Sequence, residues 1–162
     1  FRQEIKDEKI KKDMTKEFID FYSKNIDRGS KPINGVMEFL KWAKAKNISM
    51  AVCTNKRESL AIDLLKKINM YKYFDFVAGA DTFEFNKPDA RHLTNVIEII
   101  GGDLKKTLMV GDSEVDAMSA QNAGVPFILV EEGYTDKSIA EIKHDHLIKN
   151  FKNFKEVVEK FL

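Results

Sequence analysis

Short apolar runs, separated by segments with helical periodicity, constrain the fold of this chain more than any other feature of its sequence. The runs are ISMAVCT (48–54), FDFVAGA (74–80), TLMVGD (107–112) and VPFILV (125–130). Runs of this length without strict apolar–polar alternation are typical of strands buried on both faces. Strands that alternate with helices pack as a parallel sheet between two helical layers. The sequence therefore predicts a three-layer α/β domain with parallel strands near 48–53, 75–79, 107–111 and 125–130.

Composition narrows the class of protein. The chain has 162 residues, 43% of them hydrophobic and 33% charged, which is typical of one soluble globular domain. Its net charge of +1 gives no bulk reason to expect nucleic acid or an acidic membrane as a partner. No apolar run approaches the roughly 18 to 20 residues of a membrane span. The single cysteine, Cys53, excludes an intrachain disulfide framework and fits a reducing compartment. We therefore predict a cytoplasmic protein, and the sequence leaves its oligomeric state open.

Polar side chains follow the first three predicted strands. Thr54 and Asn55 end the first run, Lys87 lies in the loop after the second, and Asp112 and Asp116 follow the third. The carboxyl ends of parallel strands lie side by side, so we expect these groups to line one crevice within about 10 Å. A cation neutralises phosphate oxygens, a hydroxyl holds them, and carboxylates bind Mg2+. The set therefore suits phosphoryl transfer.

Each of these residues also has a purely structural interpretation. Thr54 is a candidate for a local side-chain turn, and Lys87 before Pro88 for a surface lysine at a helix start. Asp112 and Ser113 are candidates for helix capping, and Asp116 is a candidate for pairing with the helix dipole. All of these alternatives would have to hold at consecutive strand ends, so we favour a binding site.

The three motifs resemble those of haloacid dehalogenase (HAD) superfamily phosphatases, most closely the phosphoglycolate phosphatase group. VCTNK (52–56) is similar to the family's second motif, NKP (86–88) to its third and VGDSEVD (110–116) to its fourth. The resemblance covers about residues 30–150. It implies a Rossmann-like HAD core and Mg2+-dependent hydrolysis of a small phosphate monoester through an aspartyl-phosphate.

The resemblance also implies roles for individual residues. Thr54, Lys87 and Asp116 would be catalytic, and Thr54, Asn55 and Lys87 would bind the substrate. Asp112 would be the metal ligand, with Mg2+ as the cofactor. The expected partner is a small phosphorylated metabolite. Phosphoglycolate itself rests on the resemblance alone, because no residue here is recognisable as a reader of its carboxylate.

The family's nucleophile motif, Asp-x-Asp-x-Thr, is absent from the sequence. In the family this motif ends a strand in the middle of the sheet, and a helical cap follows it. We therefore expect residues 1–30 to be the C-terminal part of that cap, with an amphipathic helix over 14–28, and 31–162 to be a core lacking its first strand. Such a sheet would have unpaired interior edges. The chain as given is expected to be inactive.

Two rival functions remain open. One is a non-catalytic module that binds phosphate and metal, and the other is a haloacid dehalogenase, which works without metal. Asp112 and Asp116 argue against the dehalogenase, where a metal-binding pair would be superfluous. Of the residues near the motifs, Cys53 is predicted to be a buried, unreactive thiol. His92 is predicted to lie at the surface or to be half-buried.

Overall fold

The computed structural model describes residues 30–133, 135 and 137–161, together with Ile10, Met14 and Glu17. The chain divides into two compact units, Phe1–Lys31 and Pro32–Leu162. In the first unit, Ile10, Met14 and Glu17 are helical. The rest of the helix predicted over 14–28 lies outside the described residues.

The second unit alternates helices and strands in the predicted order. The strands are β1 (Ala51–Cys53), β2 (Phe76–Ala78), β3 (Met109–Gly111), β4 (Phe127–Val130) and β5 (His146–Ile148). The α-helices are α1 (Val36–Ala45), α2 (Glu58–Lys67), α3 (Ala90–Ile99), α4 (Glu114–Ala123) and α5 (Phe154–Val158). Each of β1 to β4 is shorter than its predicted apolar run. No helix in the described part of the chain is long and apolar enough to cross a bilayer.

The alternating side chains of β4 explain the layered architecture. All four residues of β4 are buried. Phe127 and Leu129 belong to the apolar cluster that contains α3 and α4 residues. Ile128 and Val130 belong to a second cluster, which contains α5 residues and has α1 side chains packed against it. Helices therefore cover both faces, and the predicted three-layer α/β arrangement is confirmed.

Strand pairing is parallel throughout but falls into two sheets. β1 pairs with β2, and β3, β4 and β5 pair in that order. The registers align Cys53 with Ala78 and Gly111 with Leu129. Within the described residues, β1 and β3 each have one edge without a strand partner. The family resemblance predicts a further strand in the middle of the sheet, and this stays a prediction. Helices connect the two sheets, because α3 packs on β1, β2 and α4, and α4 packs on β3 and β4.

Candidate active site

A buried ion pair joins two of the three predicted strand ends. The Lys87 ammonium lies 2.5 Å from Oδ1 of Asp116, and each side chain is only 9% exposed. Lys87 comes from the loop between β2 and α3, whereas Asp116 lies in the first turn of α4. Buried charges of this kind persist only when they are paired and hydrogen-bonded. The predicted meeting of ammonium and carboxylate at this edge is therefore present.

The second carboxylate oxygen of Asp116 caps α4. It accepts a hydrogen bond from the Ser113 hydroxyl at 2.8 Å and from the backbone N–H groups of Asp112 and Ser113 at 3.2 Å. Ser113 and Asp116 together form a capping box. The capping interpretation is thus correct for Ser113, and the capping box coexists with the ion pair of Asp116. Because both of its oxygens have hydrogen-bond partners, the Asp116 carboxylate is held in one orientation.

Close backbone approaches explain two glycines beside these carboxylates. A Cβ atom on Gly111 would lie 2.6 Å from Oδ2 of Asp116. A Cβ atom on Gly133, in the turn after β4, would lie 2.0 Å from the Cβ atom of Asp112. Both distances are too short for any side chain, so glycine lets the two loops reach the acidic residues. Gly133 was not predicted to belong to the site, because a glycine after an apolar strand is an ordinary turn residue.

Two asparagines hold the turn that carries Lys87. Asn55 Nδ2 donates to the Lys87 carbonyl at 2.9 Å, and the Lys87 N–H donates to Asn55 Oδ1 at 3.1 Å. On the other side, Asn122 Nδ2 donates to the Pro88 carbonyl at 3.0 Å. The Lys87–Pro88 peptide bond is cis. Both polar atoms of the Asn55 side-chain amide, Nδ2 and Oδ1, thus contact the backbone of Lys87. Asn122 was not predicted, since it lies beyond the fourth motif.

Thr54 follows β1 and forms a local side-chain turn, as its purely structural interpretation predicted. Its Oγ1 accepts a hydrogen bond from the Lys56 N–H at 3.1 Å. Its own N–H donates to the Ala78 carbonyl at 2.9 Å, which fixes it at the end of the β1–β2 pair. A hydroxyl that accepts one hydrogen bond keeps its own proton to donate. Thr54 can therefore still bind an anion, and its neighbour Asn55 links it to Lys87.

His92 differs from its prediction. It is fully buried, because it lies on the face of α3 that packs on β1 and β2. Its Nδ1 is 3.0 Å from Cys53 Sγ, and its Nε2 is 3.0 Å from the Gly79 carbonyl oxygen. Burial is the main cause that raises the pKa of the Cys53 thiol to about 11, with Lys87 lowering it and Asp116 raising it. Cys53 is half-buried rather than buried as predicted, and the raised pKa agrees with the predicted unreactive thiol.

The carboxylates of the site determine whether it can hold Mg2+. The described residues contain no group of three or more histidine, cysteine, aspartate or glutamate side chains suited to a metal ion. Mg2+, however, usually keeps several waters and is held by one or two carboxylates together with phosphate oxygens. Asp112, which directly precedes the capping box, can supply such a carboxylate. The residues present therefore fit Mg2+ as part of its coordination shell.

A cavity of about 300 Å³ lies elsewhere in the unit. Its lining includes Gly124, Pro126 and His144, at the amino ends of β4 and β5. None of the predicted site residues lines it. The candidate active site is therefore the crevice at the carboxyl ends of the strands.

Known proteins are similar to this chain over most of its length. Residues 1–130 match the family model of the haloacid dehalogenase-like hydrolases. The chain belongs to this HAD family. It is 40% identical over 138 residues to a phosphoglycolate phosphatase of Mesorhizobium japonicum, covering 85% of this chain and 61% of the relative. It is 44% identical over 134 residues to a phosphoglycolate phosphatase of Agrobacterium fabrum, covering 83% and 58% respectively.

A solved HAD structure supports the fold. The crystal structure of a predicted phosphoglycolate phosphatase from Haemophilus somnus 129PT superimposes with a TM-score of 0.83 at 26% identity. The match covers 88% of this chain and 64% of that chain. The predicted Rossmann-like HAD core is thereby confirmed. The chain spans about three fifths of the length of the two curated HAD relatives.

Proposed function

We propose that the protein containing this chain is a Mg2+-dependent phosphatase acting on a small phosphate monoester. The observation that carries this proposal is the buried Lys87–Asp116 ion pair at the carboxyl ends of the strands, next to Asp112. A buried ion pair contributes little net stability compared with apolar residues of similar size. Its position at the edge where α/β folds bind ligands therefore favours a functional explanation. The names of the relatives make phosphoglycolate the first substrate to test.

The side chains of the site have complementary tasks in binding a phosphate. An ammonium has three N–H groups, and Asp116 accepts one from Lys87. The other two can contact phosphate oxygens, and the Thr54 hydroxyl can donate to a third. Asp112 would hold Mg2+, which when bound neutralises charge on the phosphate. The direct Asp116 contact keeps the Lys87 ammonium in place, so little reorganisation is needed when charge develops.

We further propose that the nucleophile is an aspartate upstream of residue 1. Its carboxylate oxygen would attack phosphorus, the ester P–O bond would break, and the alcohol would leave with a proton. Water would then cleave the aspartyl-phosphate and release inorganic phosphate. The free edges of β1 and β3 among the described residues support this proposal. A parallel strand entered there would end between Thr54 and Asp112.

Phosphate and Mg2+ titrations of the 162-residue chain test the binding part of the proposal. Inorganic phosphate is expected to bind, and Mg2+ held by Asp112 would strengthen the binding by neutralising charge on the phosphate. Asp112→Asn should remove most of this Mg2+ effect, because a hard cation loses an anionic ligand. Isothermal calorimetry with and without Mg2+ measures both affinities. Phosphate binding that is indifferent to Mg2+ would favour the dehalogenase alternative.

Asn55→Ala is expected to affect phosphate binding more than folding. Asn55 is exposed, so the loss of its two hydrogen bonds should lower the free energy of unfolding by about 1–2 kcal/mol. The Lys87 turn would lose its partner on the β1 side, and phosphate affinity should fall about tenfold. Urea unfolding and phosphate calorimetry measure the two effects. Asn153→Ala is the matched control, because Asn153 is exposed and makes no capping hydrogen bond to α5.

A further inference from the structure

One buried imidazole connects three elements that surround the candidate site. His92 lies in the first turn of α3 and is 0% exposed. Its Nδ1 contacts the thiol of Cys53, the last residue of β1, at 3.0 Å. Its Nε2 contacts the carbonyl of Gly79, directly after β2, at 3.0 Å. The ring therefore ties a helix to the carboxyl ends of two strands.

The chemistry of these partners determines which ring nitrogen carries the proton. A carbonyl oxygen only accepts hydrogen bonds, so Nε2 of His92 must donate to Gly79. In a neutral imidazole Nδ1 is then the acceptor, and the Cys53 thiol must be its donor. The raised pKa of Cys53, about 11, agrees with a thiol that keeps its proton. The hydrogen bonds thus run from Cys53 through His92 to Gly79.

The two contacted residues directly precede site segments. Cys53 precedes Thr54, and Gly79 begins the loop that leads to Lys87. This loop has further contacts with the same region: the Phe83 ring packs edge-on against the imidazole, with centroids 5.5 Å apart. A shift of the imidazole would therefore move both the end of β1 and the start of the lysine loop.

We infer that His92 is a positioning residue of the phosphate site, which holds the strand end before Thr54 and the loop before Lys87 at a fixed separation. This inference rests on the proposed function, and it adds a residue that acts without contacting phosphate. His92 holds the strand end and the loop through the hydrogen bonds of its two ring nitrogens. Packing of the ring alone would not be sufficient.

Two substitutions separate hydrogen bonding from packing. His92→Phe keeps a planar ring but removes both hydrogen bonds, whereas His92→Gln keeps an N–H donor for Gly79 but loses the ring. We expect His92→Phe to weaken binding of inorganic phosphate, measured with Mg2+ on the full chain, about tenfold. His92→Gln should stay within about threefold of the unsubstituted chain. The reverse order would mean that the ring acts by packing, and it would overturn the inference.

A milder variant covers the case in which His92→Phe fails to fold. Cys53→Ala removes only the thiol donor and leaves the Gly79 contact, so phosphate affinity should fall about threefold. Unchanged affinity would then overturn the inference. His144→Gln is the matched control and should bind phosphate normally, because His144 lies before β5 and its Nδ1 contacts the Ile142 carbonyl, at 2.7 Å, rather than a site segment.

The proton position can be measured without phosphate. Long-range ¹H–¹⁵N spectra should show neutral His92 with its proton on Nε2, and neutral His144 with its proton on Nδ1. A proton on Nδ1 of His92 would overturn the hydrogen-bond assignment. If the unsubstituted chain bound no phosphate, the proposed function would fail. If His92→Phe bound phosphate normally, this inference alone would fail.

Discussion

Joined to an upstream segment that carries an Asp-x-Asp-x-Thr motif, the chain is expected to release phosphate from small phosphate monoesters when Mg2+ is present. Residues 1–162 alone are expected to release none. Lys87, Thr54 and Asp112 can bind and neutralise a phosphate, but none is placed to form the covalent intermediate. Loss of a nucleophile lowers turnover by as much as about a million-fold. A colorimetric phosphate-release assay on both proteins, with and without Mg2+, measures the difference.

Two variants of the joined protein serve as internal controls. Lys87→Ala should lower turnover more than Mg2+ affinity, because the ammonium acts on the transferring group. Asp112→Asn should instead weaken the dependence on Mg2+. Clear Mg2+-dependent turnover by purified residues 1–162 would show that the nucleophile has been misplaced. A joined protein that binds phosphate and Mg2+ but stays inert would favour the non-catalytic binding module.

Asp116→Asn is expected to destabilise the fold strongly. The substitution leaves the Lys87 ammonium, whose side chain is 9% exposed, without its counter-charge. Removal of one partner from a buried ion pair typically costs about 3–5 kcal/mol, because the remaining charge stays desolvated. Urea unfolding followed by circular dichroism measures this loss. The additional substitution Lys87→Met should restore part of the stability, since it removes the uncompensated charge.

An exposed ion pair between α4 and a later segment provides the matched control. Lys137 and Glu114 are 2.6 Å apart, with side chains 48% and 43% exposed. Solvent screens such a pair, so Glu114→Gln should lower the free energy of unfolding far less than Asp116→Asn does. Equal losses in Asp116→Asn and Glu114→Gln would contradict the importance assigned to burial.

The layered fold could be predicted because its signals are local. Apolar runs without alternation indicate strands covered on both faces, and β4 is buried along its whole length. The contact between Lys87 and Asp116 could also be predicted from the sequence, because parallel strands bring their carboxyl ends to one edge of a sheet. Pattern and topology were sufficient for these features.

Contacts between distant residues with ordinary local roles could not be predicted. His92 is polar, so its position on a helix gave no reason to bury it, and its partner Gly79 offers only a backbone carbonyl. Asn122 contacts Pro88 across 34 residues, and nothing in its surroundings distinguishes it from a surface asparagine. Substrate binding by Asn55 stays a prediction, but its amide contact with the Lys87 backbone was not predicted. These interactions depend on side-chain geometry that periodicity does not encode.

Helix α4 contacts two consecutive residues from its opposite ends. Asp116 in its first turn binds the Lys87 ammonium, and Asn122 in its last turn binds the Pro88 carbonyl. These two positions are about 9 Å apart along the helix axis, at a rise of about 1.5 Å per residue. The Lys87 side chain must span most of that length. The spacing of the two contacts along α4 therefore determines which cationic side chain fits at position 87. Arginine, although it has the same charge, would have to fold back or displace the helix.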